Sequence, residues 1–408
     1  MSRVIALCFL LLASVIGFLH IDSRPAWAPF AINTPAPLEE ALELQPVLKG
    51  KSPSIPSPIT TWLPDTGAAS VHAASLIALK EGAVRAFWFA GSREGAADVS
   101  IYTATLDPKS VSWSTPTLVM DRVSAEKALS RYIAKLGNPV PARLADGRLQ
   151  LFFVTVSIGG WAGSSISSVI SDDEGLTWST PQRLISSPLI NLSTLVKSPV
   201  VPFADGRLGL PAYHEWIGRF GEFLRVEAGQ VIDKRRMSSG RSSIQPLVFV
   251  SSAQEADALF RQTRSAGQPK QVPVSQTKNA GQSWQSAADL PMANPNSAVT
   301  GLLLNDGARI LVLNNIETGR YRLVIMMSDA KSQWQVVEVL EDDEVLSDEQ
   351  RKEFSYPYLI SVDGNDAHLV YTWDRKKIRH RYFSGAWLKR AHDQLAATEV
   401  VATPEESK

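Results

Sequence analysis

Residues 171–178, Ser-Asp-Asp-Glu-Gly-Leu-Thr-Trp, and residues 277–284, Thr-Lys-Asn-Ala-Gly-Gln-Ser-Trp, are two copies of one short device. Where the copies differ, a side-chain oxygen is kept: Thr for Ser, Asn for Asp, Ser for Thr. Each of those oxygens has a place in a tight turn. Asp or Asn bonds backbone amides within the turn, Gly takes positive φ, and the hydroxyl closes the loop. The Trp that follows is expected to pack beneath the hairpin as an apolar anchor. Each octamer closes an alternating strand pattern, so the chain is constrained to a repeated hairpin architecture.

The period of that repeat sets the fold. A small turn followed by an alternating apolar strand recurs at Glu81-Gly82, Asp146-Gly147, Asp205-Gly206, a degenerate Ser251–Glu255 turn, Asp306-Gly307 and Asp363-Gly364. Turn tryptophans recur in step, as Trp113, Trp178, Trp284, Trp334 and Trp387, with one unit lacking its Trp. Units of roughly 50–65 residues with four short strands each are propeller blades. The count predicts an all-β, six-bladed β-propeller over 65–395, and no helical periodicity competes there.

Ahead of that domain, a basic start is followed by an apolar run from Val4 to Phe18 and by Ala26-Trp27-Ala28. This pattern predicts that residues 1–28 are a secretory signal or a membrane anchor, so the protein is exported. Cys8, the single cysteine, lies within it, and stability must come from a large core without disulfides. Residues 29–64 carry eight prolines and read as an extended linker, with a short helix around Leu38–Leu44. Residues 396–408 read as a polar tail. Lys+Arg and Asp+Glu both number 41. No chain-wide basic footprint exists for nucleic acid, and an acidic partner must be met by a few focused cations.

The six strands preceding the Gly turns begin alike: Val71-His72-Ala73, Gly137-Asn138-Pro139, Lys197-Ser198-Pro199, Ile244-Gln245-Pro246, Pro295-Asn296-Ser297 and Ser355-Tyr356-Pro357. In a propeller the first strand of each blade lines the axis, so these starts should ring one pocket. Pro beside them removes a ladder donor and frees the strand end. Tyr213-His214-Glu215 ends another axial strand, and His214 is a candidate base near neutral pH. His368, His380 and His392 are expected to be structural, with His368 facing outward. The basic run Arg375–Arg381 is expected to present half its charges to solvent.

With its two octamers and six repeats, the chain resembles the sialidase superfamily, whose rim turns are the Asp boxes of BNR repeats. The resemblance is nearest to bacterial predicted neuraminidases, through Gly159–Ser165, Asn191–Leu195, Tyr213–Glu215 and Asn294–Ser297. It implies residue roles. Arg93 and Asp98 match the loop in which an Arg precedes the acid/base Asp. Arg261 and Arg320 match two members of an Arg triad that binds the substrate carboxylate, as bidentate guanidinium forks can. Tyr356, in Phe354-Ser-Tyr-Pro-Tyr-Leu359, matches the nucleophile of an exception to the two-carboxylate rule.

Two positions depart from the pattern. His72 stands where the first triad Arg would be, and Gln245 where a Glu would take the tyrosine proton. The candidate catalytic residues are therefore Asp98, Tyr356, His72 and His214. The candidate substrate contacts are Arg93, Arg261, Arg320, Gln245, Asn138, Asn296 and Glu215. Three readings stay open: an exo-sialidase-type glycosidase on a terminal acidic sugar, a glycosidase or lyase on uronate- or rhamnose-containing polysaccharide, and a glycan-binding propeller without catalysis. No cofactor and no metal are called for; the expected partner is an acidic glycan, and the expected state is a monomer.

Overall fold

The structure is a computed structural model that describes residues 2–22, 26–32, 58–187, 191–328 and 333–402. Its strands form six separate antiparallel sheets, the blades of a propeller. Blade I comprises Ser70–Ala78, Val84–Gly91 and Ser100–Asp107, with Ser112–Trp113 and Thr117–Met120 at its edge. Blade II runs from Lys135 to Arg183, blade III from Leu195 to Arg236, blade IV from Ser243 to Ala293 and blade V from Thr300 to Asp342. Blade VI takes its three inner strands from Phe354–Ile360, Ala367–Trp373 and Lys377–Phe383. Inner strands pack on one another around the ring, and blade VI closes against blade I.

Six apolar clusters hold this ring, one at each interface between adjacent blades. Central strands covered on both faces must be apolar on both, and Val84–Gly91 and Leu149–Val156 are buried along their whole length. This distributed burial explains how a chain whose only cysteine is the exposed Cys8 can be stable without disulfides.

Closure uses both ends of the domain. Ile59–Trp62 adds the outer strand of blade VI, with Ile59 opposite Tyr382 and Trp62 opposite Arg379. That strand lies inside the stretch expected to be linker. Because it occupies the blade VI edge, the chain after Phe383 cannot continue the sheet and turns into the helix Gly385–Ala402. Trp387 consequently sits on that helix, packed against Phe383 at 4.9 Å, and not in a blade turn. The helix also extends into the stretch expected to be a polar tail.

A second N-terminal piece is built into the propeller. Trp27 and Phe30 are buried in the blade III–IV cluster with Phe203, Phe223 and Met237. Phe30 N donates to Ala253 O (2.8 Å), Ala31 N to Pro202 O (2.9 Å), and Trp27 Nε1 to Asp233 (3.0 Å). Cleavage after Ala28 would remove Trp27 from this core. Upstream, Ser2–Asp22 is a helix on which the side chains of Val4, Leu7, Phe9, Leu10 and Leu11 are exposed. Among the described residues, no helix is long and apolar enough to cross a membrane. The expected helix around Leu38–Leu44 falls outside the described residues.

Both octamers close third-to-fourth-strand turns, away from the axis. Asp173 accepts from Leu176 N (3.0 Å), Thr177 N (2.9 Å) and Thr177 Oγ1 (2.6 Å). Thr177's hydroxyl and amide hold its carboxyl well below the usual range. In the second copy Asn279 accepts from Ser283 N (2.9 Å), and Thr277 Oγ1 accepts from Gly281 N (2.9 Å). Trp178 meets Phe87 edge-on at 5.7 Å and Trp284 meets Phe223 at 5.8 Å, so each box anchors its blade to the preceding one.

One expectation for blade VI fails, that His368 faces outward. His368 is buried, bonded through Nδ1 to His380 Nε2 at 3.1 Å, and His380 Nδ1 lies 3.1 Å from Thr61 Oγ1. In the basic run Lys376 and Lys377 are exposed, while Arg379 pairs with Glu341, Arg381 with Glu338, and Arg375 turns to the axis. The side that carries His368 and His380 packs toward blade I, with Trp113 5.3 Å from the His380 ring, and is closed to water.

Candidate active site

The inner strands do not run straight where they ring the axis. Ala73, Asn138, Gln245, Asn296 and Tyr356 all have positive φ, between 44° and 63°. Register shifts mark the same places in blades I, II, IV and VI. Such bulges re-aim side chains, and for Ala, Gln or Tyr the left-handed region costs about 1–3 kcal/mol each. The same strain recurs in five blades, and it turns polar side chains toward one end of the axis.

Those side chains join into a closed circuit. Gln245 Nε2 donates to Tyr356 Oη and to Tyr213 Oη, both at 3.3 Å. Gln245 Oε1 accepts from Arg261 Nη1 at 3.4 Å, which fixes the orientation of the amide. Arg261 Nε donates to Asn296 Oδ1 (2.7 Å), and Arg320 Nη2 to Asn296 O (3.0 Å). Arg320 pairs with Glu353 (3.0 Å), and Glu353 with Arg375 (2.9 Å). Arg375 pairs in turn with Glu94, and Glu94 Oε2 lies 4.0 Å from His72 Nε2. The His72 ring, 4.4 Å from that of Tyr356, closes the loop. Asn138 joins at the side, donating to Tyr213 Oη at 3.4 Å.

Electrostatics divide the circuit in two. On one side Glu94, Glu353, Arg320 and Arg375 neutralise one another. Burial raises Glu353, but hydrogen bonds from Arg375 and the nearby Arg320 charge bring it down to about 2. On the other side, Arg261 contacts only the neutral oxygens of Asn296 and Gln245, and no carboxylate pairs with it among the described residues. Its charge is felt by Glu215, whose carboxyl is pushed up by burial against the pull of Arg261 and Arg219. Burial drives His72 down to about 4, so it is a neutral imidazole at pH 7, and neither ring nitrogen has a hydrogen-bond partner.

The sequence candidates fall into two groups. His72, Asn138, Gln245, Arg261, Asn296, Arg320 and Tyr356 come together, with Glu215 beside Arg261. Asp98, Arg93 and His214 do not join them. The Asp98 carboxylate is exposed and accepts from Ser92 N and Ser92 Oγ, both at 2.9 Å, closing its own loop. Arg93 is exposed, and its loop sends Glu94 inward instead. His214 Nε2 accepts from Ile217 N (3.1 Å) and the ring stacks on Phe220 (4.8 Å). Strand alternation sends Tyr213 and Glu215 to one side and His214 to the other.

Four contributors were missed by sequence reasoning: Glu94, Lys197, Glu353 and Arg375. A positional signal existed for some. Glu353 immediately precedes an inner strand, while Glu94 and Arg375 occupy the same second-to-third-strand connections as Arg320. A cleft of about 480 Å³, lined by Thr318, Arg320, Tyr321, Arg351, Lys352 and Glu353, opens beside the circuit. No group of three or more His, Cys, Asp or Glu is placed to hold a metal among the described residues.

Solved structures share this architecture at low identity. A Hadza microbial sialidase superposes with a TM-score of 0.63 at 13% identity, over 78% of this chain and 66% of that one. A protein of unknown function from Dyadobacter fermentans gives 0.63 at 12%, over 80% and 97%. NanB sialidase from Streptococcus pneumoniae, as a K499G mutant, gives 0.61 at 11%, over 79% and 70%. No curated protein sequence matches the chain. The model of the BNR repeat-like domain matches residues 82–369, well over half the chain, and with six blades and two box turns in place the chain belongs to that family of sialidase-like propellers.

Proposed function

We propose that this propeller is a glycoside hydrolase of sialidase type that removes a terminal acidic sugar from a glycan. The observation that carries the reading is the Tyr356–Gln245–Arg261 chain, in which a strained axial tyrosine adjoins a guanidinium without a carboxylate partner. Arg261 would take the sugar carboxylate, since charge-assisted forks are the strong, directional way to hold one. Tyr356 would attack or shield the anomeric carbon.

Gln245 changes how that tyrosine is supported. Its carbonyl is held by Arg261, so its N–H groups face the two phenols and stabilise a phenolate without accepting a proton. The proton needs another acceptor, and His72 is neutral, with its ring 4.4 Å from that of Tyr356. Glu215 suits the acid, because burial raises its carboxyl toward the range a general acid needs. The same neutral His72, beside an Arg for a uronate carboxylate, favours elimination as a second reading. The N-terminal pattern supports action outside the cytoplasm.

Wild type, Tyr356→Phe and Arg261→Ala should be assayed on fluorogenic sialosides and uronate-containing polysaccharides, following released sugar and absorbance of a new double bond. Release of an acidic sugar, lost by about 10²–10⁴-fold in Tyr356→Phe, is the expected result. An unsaturated product selects the lyase. No product from any acidic glycan rejects catalysis.

A further inference from the structure

Lys197 precedes the ring residue of blade III, where the inner strand is interrupted between Leu195–Val196 and Val201–Pro202. Its side chain is 5% exposed and does not turn back to its own blade. Nζ crosses the axis and donates to Pro357 O of blade VI (2.5 Å) and to Val299 O at the start of blade V (3.4 Å). Pro357 directly follows Tyr356, within the bulge where the register shifts between Ser355 and Tyr358. A bulge leaves backbone groups outside the ladder, and this carbonyl is satisfied from the opposite side of the ring. No carboxylate pairs with Lys197 among the described residues. A buried ammonium bonded only to neutral oxygens is costly, and an apolar side chain would fill the axis at lower cost.

We propose that Lys197 is a positioning residue for Tyr356, holding from across the axis the bulge that aims the phenol, and that its unpaired charge joins Arg261 in favouring an anion in the pocket. This rests on the proposed acidic-sugar reading for the anion, and on geometry alone for the hold on Tyr356. The groups that face Lys197 are Arg261 from blade IV and the ring of Tyr358 from blade VI, 5.9 Å from Nζ. Burial, and then Arg261, bring the Lys197 ammonium down to about 7. A bound anion would restore its proton, so binding near pH 7.5 should take a proton up.

Two experiments separate the parts. In the first, the Tyr356 phenol is titrated by ultraviolet difference spectroscopy against Tyr356→Phe, in wild type, Lys197→Met and Lys197→Gln. The midpoint should move upward in both variants, because the bulge that aims the phenol at its donor, Gln245 Nε2, is no longer held. An unchanged midpoint in whichever variant folds overturns the positioning role, whatever the substrate results. In the second, glucuronate, N-acetylneuraminate and neutral glucose are titrated calorimetrically at pH 7.5 in phosphate and in Tris. Wild type should bind an acidic sugar with a buffer-dependent enthalpy, and Lys197→Met on the order of tenfold more weakly without that dependence. Equal affinity in Lys197→Met overturns the anion role. If wild type binds no acidic sugar while the phenol midpoint still shifts, the proposed function and the anion role fail and the positioning role stands.

Discussion

Two buried regions of this propeller solve opposite problems. Between blades III and IV, Trp27 and Phe30 fill a cavity of aromatic side chains, and the strap's backbone is bonded to Ala253, Pro202 and Ala204. Even the second box glycine serves the packing, since a Cβ at Gly281 would come within 2.7 Å of Phe223. At the axis, burial is just as deep but chemistry is unfinished. Among the described residues, both nitrogens of His72 and the hydroxyl of Ser198 lack partners, Arg261 and Lys197 lack counter-ions, and five residues of the ring hold left-handed backbone. Buried polar groups in that state cost stability that hydrophobic replacements would recover. The strap exists to hold the fold; the axis keeps strain and unmatched charge, which is what a binding and reacting site requires.

Substitutions should separate the two regions. Glu215→Gln should reduce turnover by about 10²–10⁴-fold if Glu215 is the acid, with melting temperature little changed, as rate and thermal measurements on one preparation would show. Trp27→Ala should behave in the opposite way. Loss of a large aromatic from a packed core costs about 3–5 kcal/mol, and removal of residues 1–28 should cost at least as much, with the site geometry intact. Denaturant unfolding checks this, and the intact mass of the protein isolated from cells should show Trp27 retained. An isolated form that begins at Pro29 with unchanged stability would remove the strap from the core of this account.

The next effect is in pH. The folded pKa of His72 is lowered from 6.5 to about 4 by burial. Above pH 6.5 the imidazole is neutral in both states and contributes nothing. Between 6.5 and 4 only the unfolded chain takes the proton, so stability falls as pH drops, by about 3 kcal/mol in total. His72→Phe should lose less over that window and be the more stable variant at pH 4.5, while its activity is impaired. Smallest of all is Asp98→Asn. Because Asp98 is exposed and bonded within its own loop, activity should stay within about twofold; a loss like that of Glu215→Gln would return the acid role to Asp98.

How much of this was legible in the sequence follows from how local each feature is. The box turns were readable because all their bonds lie within eight residues, and the repeat exposed six blades because five are contiguous stretches and the sixth supplies three consecutive strands. Closure was not readable, since Ile59–Trp62 pairs with Lys377–Phe383 from the far end of the chain. Trp27 and Phe30 were hidden in a proline-rich, signal-like context that suggests an extended tether. At the axis, the ring positions His72, Asn138, Gln245, Asn296 and Tyr356 followed from the repeat, and Arg261 and Arg320 from the family resemblance. Glu94, Glu353, Arg375 and Lys197 were missed because their roles consist of contacts across the ring. Arg375 shows the difficulty well: in sequence it heads a basic run, and only the propeller's closure turns it toward Glu94 and Glu353.

The account stands on Arg261 being the unpaired cation that receives an acidic sugar. Calorimetric titration of wild type and Arg261→Ala with N-acetylneuraminate and glucuronate, using glucose as the neutral control, tests this directly. Loss of charge-assisted bonds worth about 1.5–3 kcal/mol predicts that Arg261→Ala binds the acidic sugar at least tenfold more weakly, with glucose unaffected and the fold intact. Equal affinity of wild type and Arg261→Ala for the acidic sugars, or equal loss for acidic and neutral sugars, would contradict it.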